Sequence, residues 1–400
     1  GLCTALSEYG FKVNPTLEEF YQNNETSIGS ETTSFTGRVE SSLNFYNDAA
    51  IVMLSREGGE GSDASRVTTE KTDEDDFEHQ ALYTDDKGNT YKHYLMLTNE
   101  EEALLKYVKE HFNKVVVLIN SSNAMEVSSL KNDDKISAII NIGRPGAGGL
   151  YGLAQILNGT VSPSGSLVDE WMSDFTTDPT WYNFGNNNQT GGVNSYYYED
   201  GTATGTAGTT TSHDNEGYHG VDYEEGIYIG YKYYETVYSE IAEGNIKYDS
   251  SKPIGSQLSY NSTSTGTTAD NINSANAWWK ANVAYAYGYG LTYTDFSFNI
   301  SGVYTNDGCT STLSSDGLAD KVASTKDKAA AIKSIYVKVK VTNTGNVAGK
   351  KTVQLYSTAP YTKGGVEKAS VSLVGFGKTS TLNPGQSEDV VIKVNMQDIA

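Results

Sequence analysis

Between residues 50 and 157, short apolar runs alternate with helix-forming stretches, and this alternation limits the possible folds more than any other feature of the chain. DAAIVMLSR is a nearly continuous apolar strand that ends in the polar, Gly-rich segment REGGEGSD. TNEEEALLKYVKEHF carries an N-cap Thr, an acidic first turn, apolar residues at 3–4 spacing and later basic residues, which together predict a helix. The strand KVVVLIN follows at once, then a short helix around Met125–Leu130, the strand ISAIINIG, the turn GRPGAGG and the helix LYGLAQILNG. Strands buried on both faces and separated by helices predict an α/β fold. Its sheet is mostly parallel, flanked by helices, with ligand-binding loops at the carboxyl ends of the strands.

The flanking sequence reads differently. GLCTALSEYGFKVNPTLEEFY predicts a helix to about Tyr9, a turn at Gly10 and a second helix after Pro15. Residues 64–92 lack periodicity and read as a long loop, and the Gly/Asn/Thr-rich stretches at 182–222 and 250–275 read as insertions. Between them, Tyr228, Tyr231, Tyr233 and Tyr234 read as alternating strand tyrosines, with sheet packing favoured over sugar stacking. AYAYGYGLTYTDFSF again has strand-like alternation. After Phe296 the pattern becomes all-β, with IYVKVKVTNTGNVAG, KTVQLYSTAP, SVSLVGFGKTSTLNPG and EDVVIKVNM separated by Gly, Asn and Pro turns. The expected organisation is an α/β sandwich domain over 1–295 and an immunoglobulin or fibronectin type III-like β-sandwich over 296–400.

With 50 acidic against 29 basic side chains, the net charge of -21 opposes binding to nucleic acid or anionic lipid. A neutral ligand such as carbohydrate fits better, and the 29 tyrosines offer rings that stack on sugars. No apolar run is long enough for a bilayer. Cys3 and Cys309 are too few and too far apart for a disulfide framework, and His79, His93, His111, His213 and His219 show no metal-ligand spacing. GRPGAGG lacks the Lys-Ser/Thr pair of a phosphate loop, and no GxSxG elbow is present, so neither a cofactor nor a metal is expected. Asn24, Asn158, Asn188, Asn261 and Asn299 head Asn-X-Ser/Thr triplets. Localisation is left open, leaning to a secreted or cell-surface setting. Gly1, with neither Met nor a signal-like stretch, suggests a processed or truncated segment.

The ordered set AAIVMLSREGGEGSD, KVVVLINSSNAMEV, ISAIINIGRPGAGGLYGLAQILNGTVSPSGSLVDEW, DYEEGIYIGYKYYET, YGYGLTYTDFSF and VTNTGNVAGKKTVQLYSTAP with LVGFGKTSTLNPG resembles the second and third domains of family 3 glycoside hydrolases, mainly β-glucosidases. In that family a (β/α)8 barrel supplies the nucleophilic Asp, and a loop of the α/β sandwich domain supplies the acid/base Glu. Nothing here resembles the barrel, which precedes the sandwich in some members and follows the β-sandwich in others. GLCTALSEYGF looks like the helix after the sandwich domain's first strand, implying that this strand lies upstream.

A retaining glycosidase needs one carboxyl to attack the anomeric carbon and another to protonate the leaving oxygen. The resemblance puts Glu60, at the GEG-D position, in the second role; Gly58, Gly59 and Gly61 give its backbone the freedom for sharp turns. Glu57 and Glu101 are the competing carboxyls, although Glu101 also suits a first-turn role against the helix dipole. Arg56, Glu57 and Asp63 are the expected substrate-binding residues, and Arg56 and Asp63 would also tune the acid by charge. Ala64 stands where the family pattern has Arg, and Arg66 is the candidate substitute.

The expected function is thus part of a retaining, exo-acting β-glycosidase, foremost a β-glucosidase, acting on a β-linked oligosaccharide or glycoside. The segment alone would be inactive without its barrel, and a homo-oligomer is open. The alternative is a non-catalytic carbohydrate-binding or adhesion module on a glycosidase-like scaffold. A flavodoxin-like module would rest on the βα alternation alone.

Overall fold

The computed structural model describes residues 1–23, 35–58, 83–84, 90–91, 93–181, 195–199, 202–203, 218–221, 223, 225–252, 256–260, 266–310, 312–313, 332–362 and 364–399. Two compact units emerge: Gly1–Ala154 with Trp171–Gly226 and Lys280–Tyr285, and Gln155–Glu170 with Ile227–Trp279 and Ala286–Ala400.

The first unit opens with helices α1 (Leu2–Glu8), α2 (Pro15–Asn23) and α3 (Arg38–Leu43). Its sheet contains β1 (Ala50–Ser55), β4 (Val115–Asn120) and β5 (Ile136–Asn141) in the order β1-β4-β5, all parallel. The short pair β2 (Tyr83–Thr84) and β3 (Thr90–Tyr91) falls in the stretch expected to be a loop. Central β4 is buried almost throughout, whereas β1 has sheet neighbours on one side only among the described residues and exposes Met53 and Ser55. The apolar run at β1 is therefore less buried than its composition implies.

Helix α4 (Asn99–His111) begins with a capping box, in which the Thr98 hydroxyl accepts from Glu101 N and the Glu101 carboxylate accepts from Thr98 N. It buries Leu105 and Val108. A short α5 (Ser128–Lys131) leads to β5, and α6 (Gly146–Leu157) follows. Gly143 and Gly146 take φ values of 54° and 60°, a region open to glycine, which explains GRPGAGG as a tight strand-to-helix turn. The parallel sheet with flanking helices, followed by antiparallel β-sheets, is the fold class expected.

β6 (Trp171–Met172) pairs antiparallel with β12 (Val283–Tyr285), bringing a late segment back to the first unit. Within the stretch 182–222, expected to be an insertion, β7 (Ser195–Glu199), β8 (Thr202–Ala203) and β9 (Tyr218–Val221) form a small antiparallel sheet in the order β8-β7-β9. The tyrosines of SYYYE supply the strand propensity that the surrounding composition obscures.

Three expectations are corrected in the second unit. The Tyr-rich stretch is helix α7 (Tyr231–Glu243), not strand: Tyr234, Val237 and Ile241 recur at helical spacing and are buried. The stretch expected as a loop at 250–275 contains β11 (Leu258–Ser259), which pairs with β10 (Lys247–Tyr248) just before it, and the start of α8 (Thr268–Asn282), which buries Ala275 and Trp278. Residues 286–295 also lack the regular strand expected of the aromatic alternation.

The all-β part contains a sheet β13-β14-β17 (Phe296–Tyr304, Ser334–Asn343, Ser387–Asn395) and a pair β15-β16 (Thr352–Ser357, Ser372–Lys378). Val337, Val339, Val341, Val353, Leu382, Val390, Ile392 and Val394 make its core. Gly375 and Gly377 on β16 have no room for a side chain: a Cβ at either would lie 2.5 Å from Ile392 or Val390. Fully buried Asn343 joins the turns beside this core. Its Nδ2 donates to Val347 O and Leu382 O, each at 2.8 Å, while its Oδ1 accepts from Thr294 Oγ1 at 2.7 Å and Gly345 N at 3.1 Å.

Candidate active-site loop and its support

The chain leaves β1 at Arg56, whose N–H donates to Asn120 O on the neighbouring strand. The Arg56 side chain turns inward and is 4% exposed, so a buried cation must find both charge and acceptors. It finds both. Nη1 and Nη2 donate to the two oxygens of Glu101, each at 2.6 Å. Nη1 also reaches Ser55 O at 2.8 Å, while Nη2 and Nε reach Met96 O and Tyr94 O, each at 2.6 Å. All five guanidinium N–H groups are thereby used. Glu101 simultaneously caps α4, so one carboxylate fixes the start of that helix and the beginning of the loop.

The next residues are held from two sides. Glu57 N donates to Tyr94 Oη at 2.8 Å, and the Arg144 guanidinium, from the β5–α6 turn, donates to Gly58 O. The Glu57 side chain itself is exposed. Glu60, Asp63, Ala64 and Arg66 lie outside the described residues.

The stretch that accepts from Arg56 has its own anchor. His93 is buried, with Nε2 2.9 Å from Glu126 Oε1, and its Nδ1 accepts from Leu95 N at 3.2 Å. With Nδ1 accepting from Leu95 N, Nε2 is the nitrogen placed to donate to Glu126. Glu126 Oε1 also accepts from Phe175 N at 2.6 Å. The His93 ring stacks on Phe175 at 5.3 Å and lies 5.2 Å from Trp181. A carboxylate, two aromatic rings and backbone groups surround this histidine, and the described residues contain no cluster of His, Cys, Asp and Glu suited to a metal.

Of the expected site residues, the structure places Arg56 in a buried ion pair with Glu101, and Glu57 at the surface just beyond it. Glu101 is buried with both oxygens engaged. The supporting roles of Tyr94, Arg144, His93 and Glu126 were not apparent in the sequence. Arg144 stood within a conspicuous Gly-rich turn, the one local signal that the β5–α6 turn mattered.

What this region does is fix Arg56, Glu57 N and Gly58 O at the carboxyl end of a parallel strand, where side chains can meet a ligand. Residues 39–231 match the glycosyl hydrolase family 3 C-terminal domain, and residues 351–400 match a fibronectin type III-like domain. Beta-glucosidase A of Butyrivibrio fibrisolvens is 29% identical over 89% of this chain and 33% of its own length. A beta-glucosidase of Ruminococcus albus is 26% identical over 88% of the chain and 24% of its own length. The chain thus spans about a third or less of these two relatives. It also resembles beta-glucosidase 3B of Thermotoga neapolitana, solved in complex with alpha-D-glucose, with a TM-score of 0.59 at 23% identity over all of this chain and 41% of that one. That likeness concerns the fold. The chain carries a glycosyl hydrolase family 3 C-terminal domain and, after it, a fibronectin type III-like domain.

Proposed function

We propose that the chain is part of a retaining, exo-acting β-glucosidase in which Glu60 is the general acid/base, acting opposite a nucleophilic Asp on a (β/α)8 barrel outside these 400 residues. The observation that supports this reading best is the doubly held start of the REGGEGSD loop: Arg56 is locked to Glu101, and Gly58 O is held by Arg144. A general acid must sit within hydrogen-bond reach of the leaving oxygen, and a rigid loop base makes that placement reproducible. Glu57 and Asp63 are proposed to contact substrate. Arg56, with every donor already engaged, is proposed to position the loop instead.

In this reaction the barrel Asp attacks the anomeric carbon while Glu60 gives its proton to the glycosidic oxygen. Water, deprotonated by the same Glu60, then releases the sugar with retained configuration. Two carboxyls roughly 5 Å apart are required for this path. The test uses the full-length enzyme containing this chain, offered an aryl β-glucoside and followed by NMR of the first-formed sugar. β-Glucose as the initial product supports the proposal. α-Glucose, or binding of glucosides without any hydrolysis, would overturn it.

A further inference from the structure

Glu170 lies in the second unit, between α6 and α7 in sequence, and is 1% exposed. Its Oε2 accepts from Tyr287 N at 2.6 Å, while its Oε1 has no hydrogen-bond partner among the described residues. The titratable groups around it come from several segments: Asp169 beside it, Glu235 on α7, Tyr287 after β12, and Tyr356 on β15, with Tyr231 of α7 packed against the two tyrosines. Tyr231 and Tyr287 pack at 4.8 Å, and Tyr231 meets Tyr356 edge-on at 6.1 Å. Every member of this set is acidic or neutral, and two of them, Asp169 and Glu235, are carboxyls. A carboxylate here would be desolvated, short of one donor, and repelled by its neighbours. A neutral carboxylic acid avoids the charge penalty.

We propose that the folded protein holds Glu170 in its protonated form, which makes folding of the second unit a proton-linked event favoured on the acidic side of neutrality. Burial, more than the nearby carboxyls, pushes the group up from its ordinary 4.5 to about 7, and burial also pushes Tyr356 up to about 12. The sign follows from proton counts. Below about 4.5 folded and unfolded chains both hold the proton, so stability does not change with pH through this group. From there to about 7 the unfolded chain releases a proton that the folded chain keeps, so stability falls as pH rises, by up to about tenfold in the unfolding constant per pH unit. Above about 7 both states have lost it and the loss is complete. The inference is independent of the proposed catalytic role of Glu60.

The test compares equilibrium unfolding of the 400-residue chain with that of Glu170→Gln, an uncharged isostere that still accepts from Tyr287 N. At about pH 5 the two should unfold alike; at about pH 8 the variant should have an unfolding constant at least about tenfold lower than the parent. A difference of the same size at both pH values would overturn the proposal. A second measurement does not depend on the variant. The infrared band of a buried protonated carboxyl should be present in the folded parent just below neutral pH and fade as pH rises through about 7. Its absence throughout would equally reject the idea.

Discussion

Glu101 shows how much can rest on a single side chain, because it neutralises Arg56 and completes the α4 capping box at once. Replacing it by Gln leaves a buried guanidinium without its counter-charge, and breaking such a pair costs about 3–5 kcal/mol. Denaturant unfolding of Glu101→Gln should show a loss of that order. Thr98→Ala, which removes only the hydroxyl cap, should cost about 1 kcal/mol. The partnership could not be read from the sequence, since the two residues stand 45 apart and Glu101 looked sufficiently explained by the helix dipole. His93 is a similar case. Its lack of metal spacing was legible, but its bond to Glu126 and its stack on Phe175 depend on segments that meet only in the fold. Glu60 came forward at once because its glycine neighbours and position in a recognisable loop are local information.

At the scale of elements, β4, β5 and α4 were legible because each satisfies propensity, pattern and end signals together. Helix α7 was not. Its tyrosines favour strands, and the helical spacing of Tyr234, Val237 and Ile241 is masked by the intervening aromatic residues. Helix α8 was missed because Ala275 and Trp278 are sparse apolar marks in a Ser/Thr/Asn-rich stretch. In the β-sandwich the repeated glycine of GFG could be seen, but not its cause, the close approach of β16 to Ile392 and Val390. Gly377→Ala should therefore push against a stiff, β-branched core residue and destabilise the protein by about 1–3 kcal/mol. Gly385→Asn, in a turn where φ is 78° and nothing crowds the missing Cβ, should cost less in the same unfolding assay.

For the molecule as a whole, the chain crosses between its two units repeatedly, and residues 155–170 and 227–279 belong with 286–400. Tyr231 Oη on α7 accepts from Leu373 N on β16 at 2.9 Å, a tie between distant parts of the chain within one unit. A fragment ending at residue 295 should consequently protect the amides of α7 from hydrogen exchange much less than the 400-residue chain does; equal protection would show that α7 is stabilised without the β-sandwich. Such returns are set by long-range packing and leave little local trace, which is why the change to an all-β pattern after Phe296 was visible but the interleaving was not. The catalytic proposal belongs to this scale too, since it joins a loop of this chain to a barrel outside it. The most direct measurement is made on the full-length enzyme carrying Glu60→Ala. Loss of a general acid should depress hydrolysis of glucosides with poor leaving groups by orders of magnitude more than that of activated aryl glucosides, and azide should restore turnover of the latter by forming β-glucosyl azide. Equal losses on both substrates without azide rescue would contradict Glu60 as the acid/base.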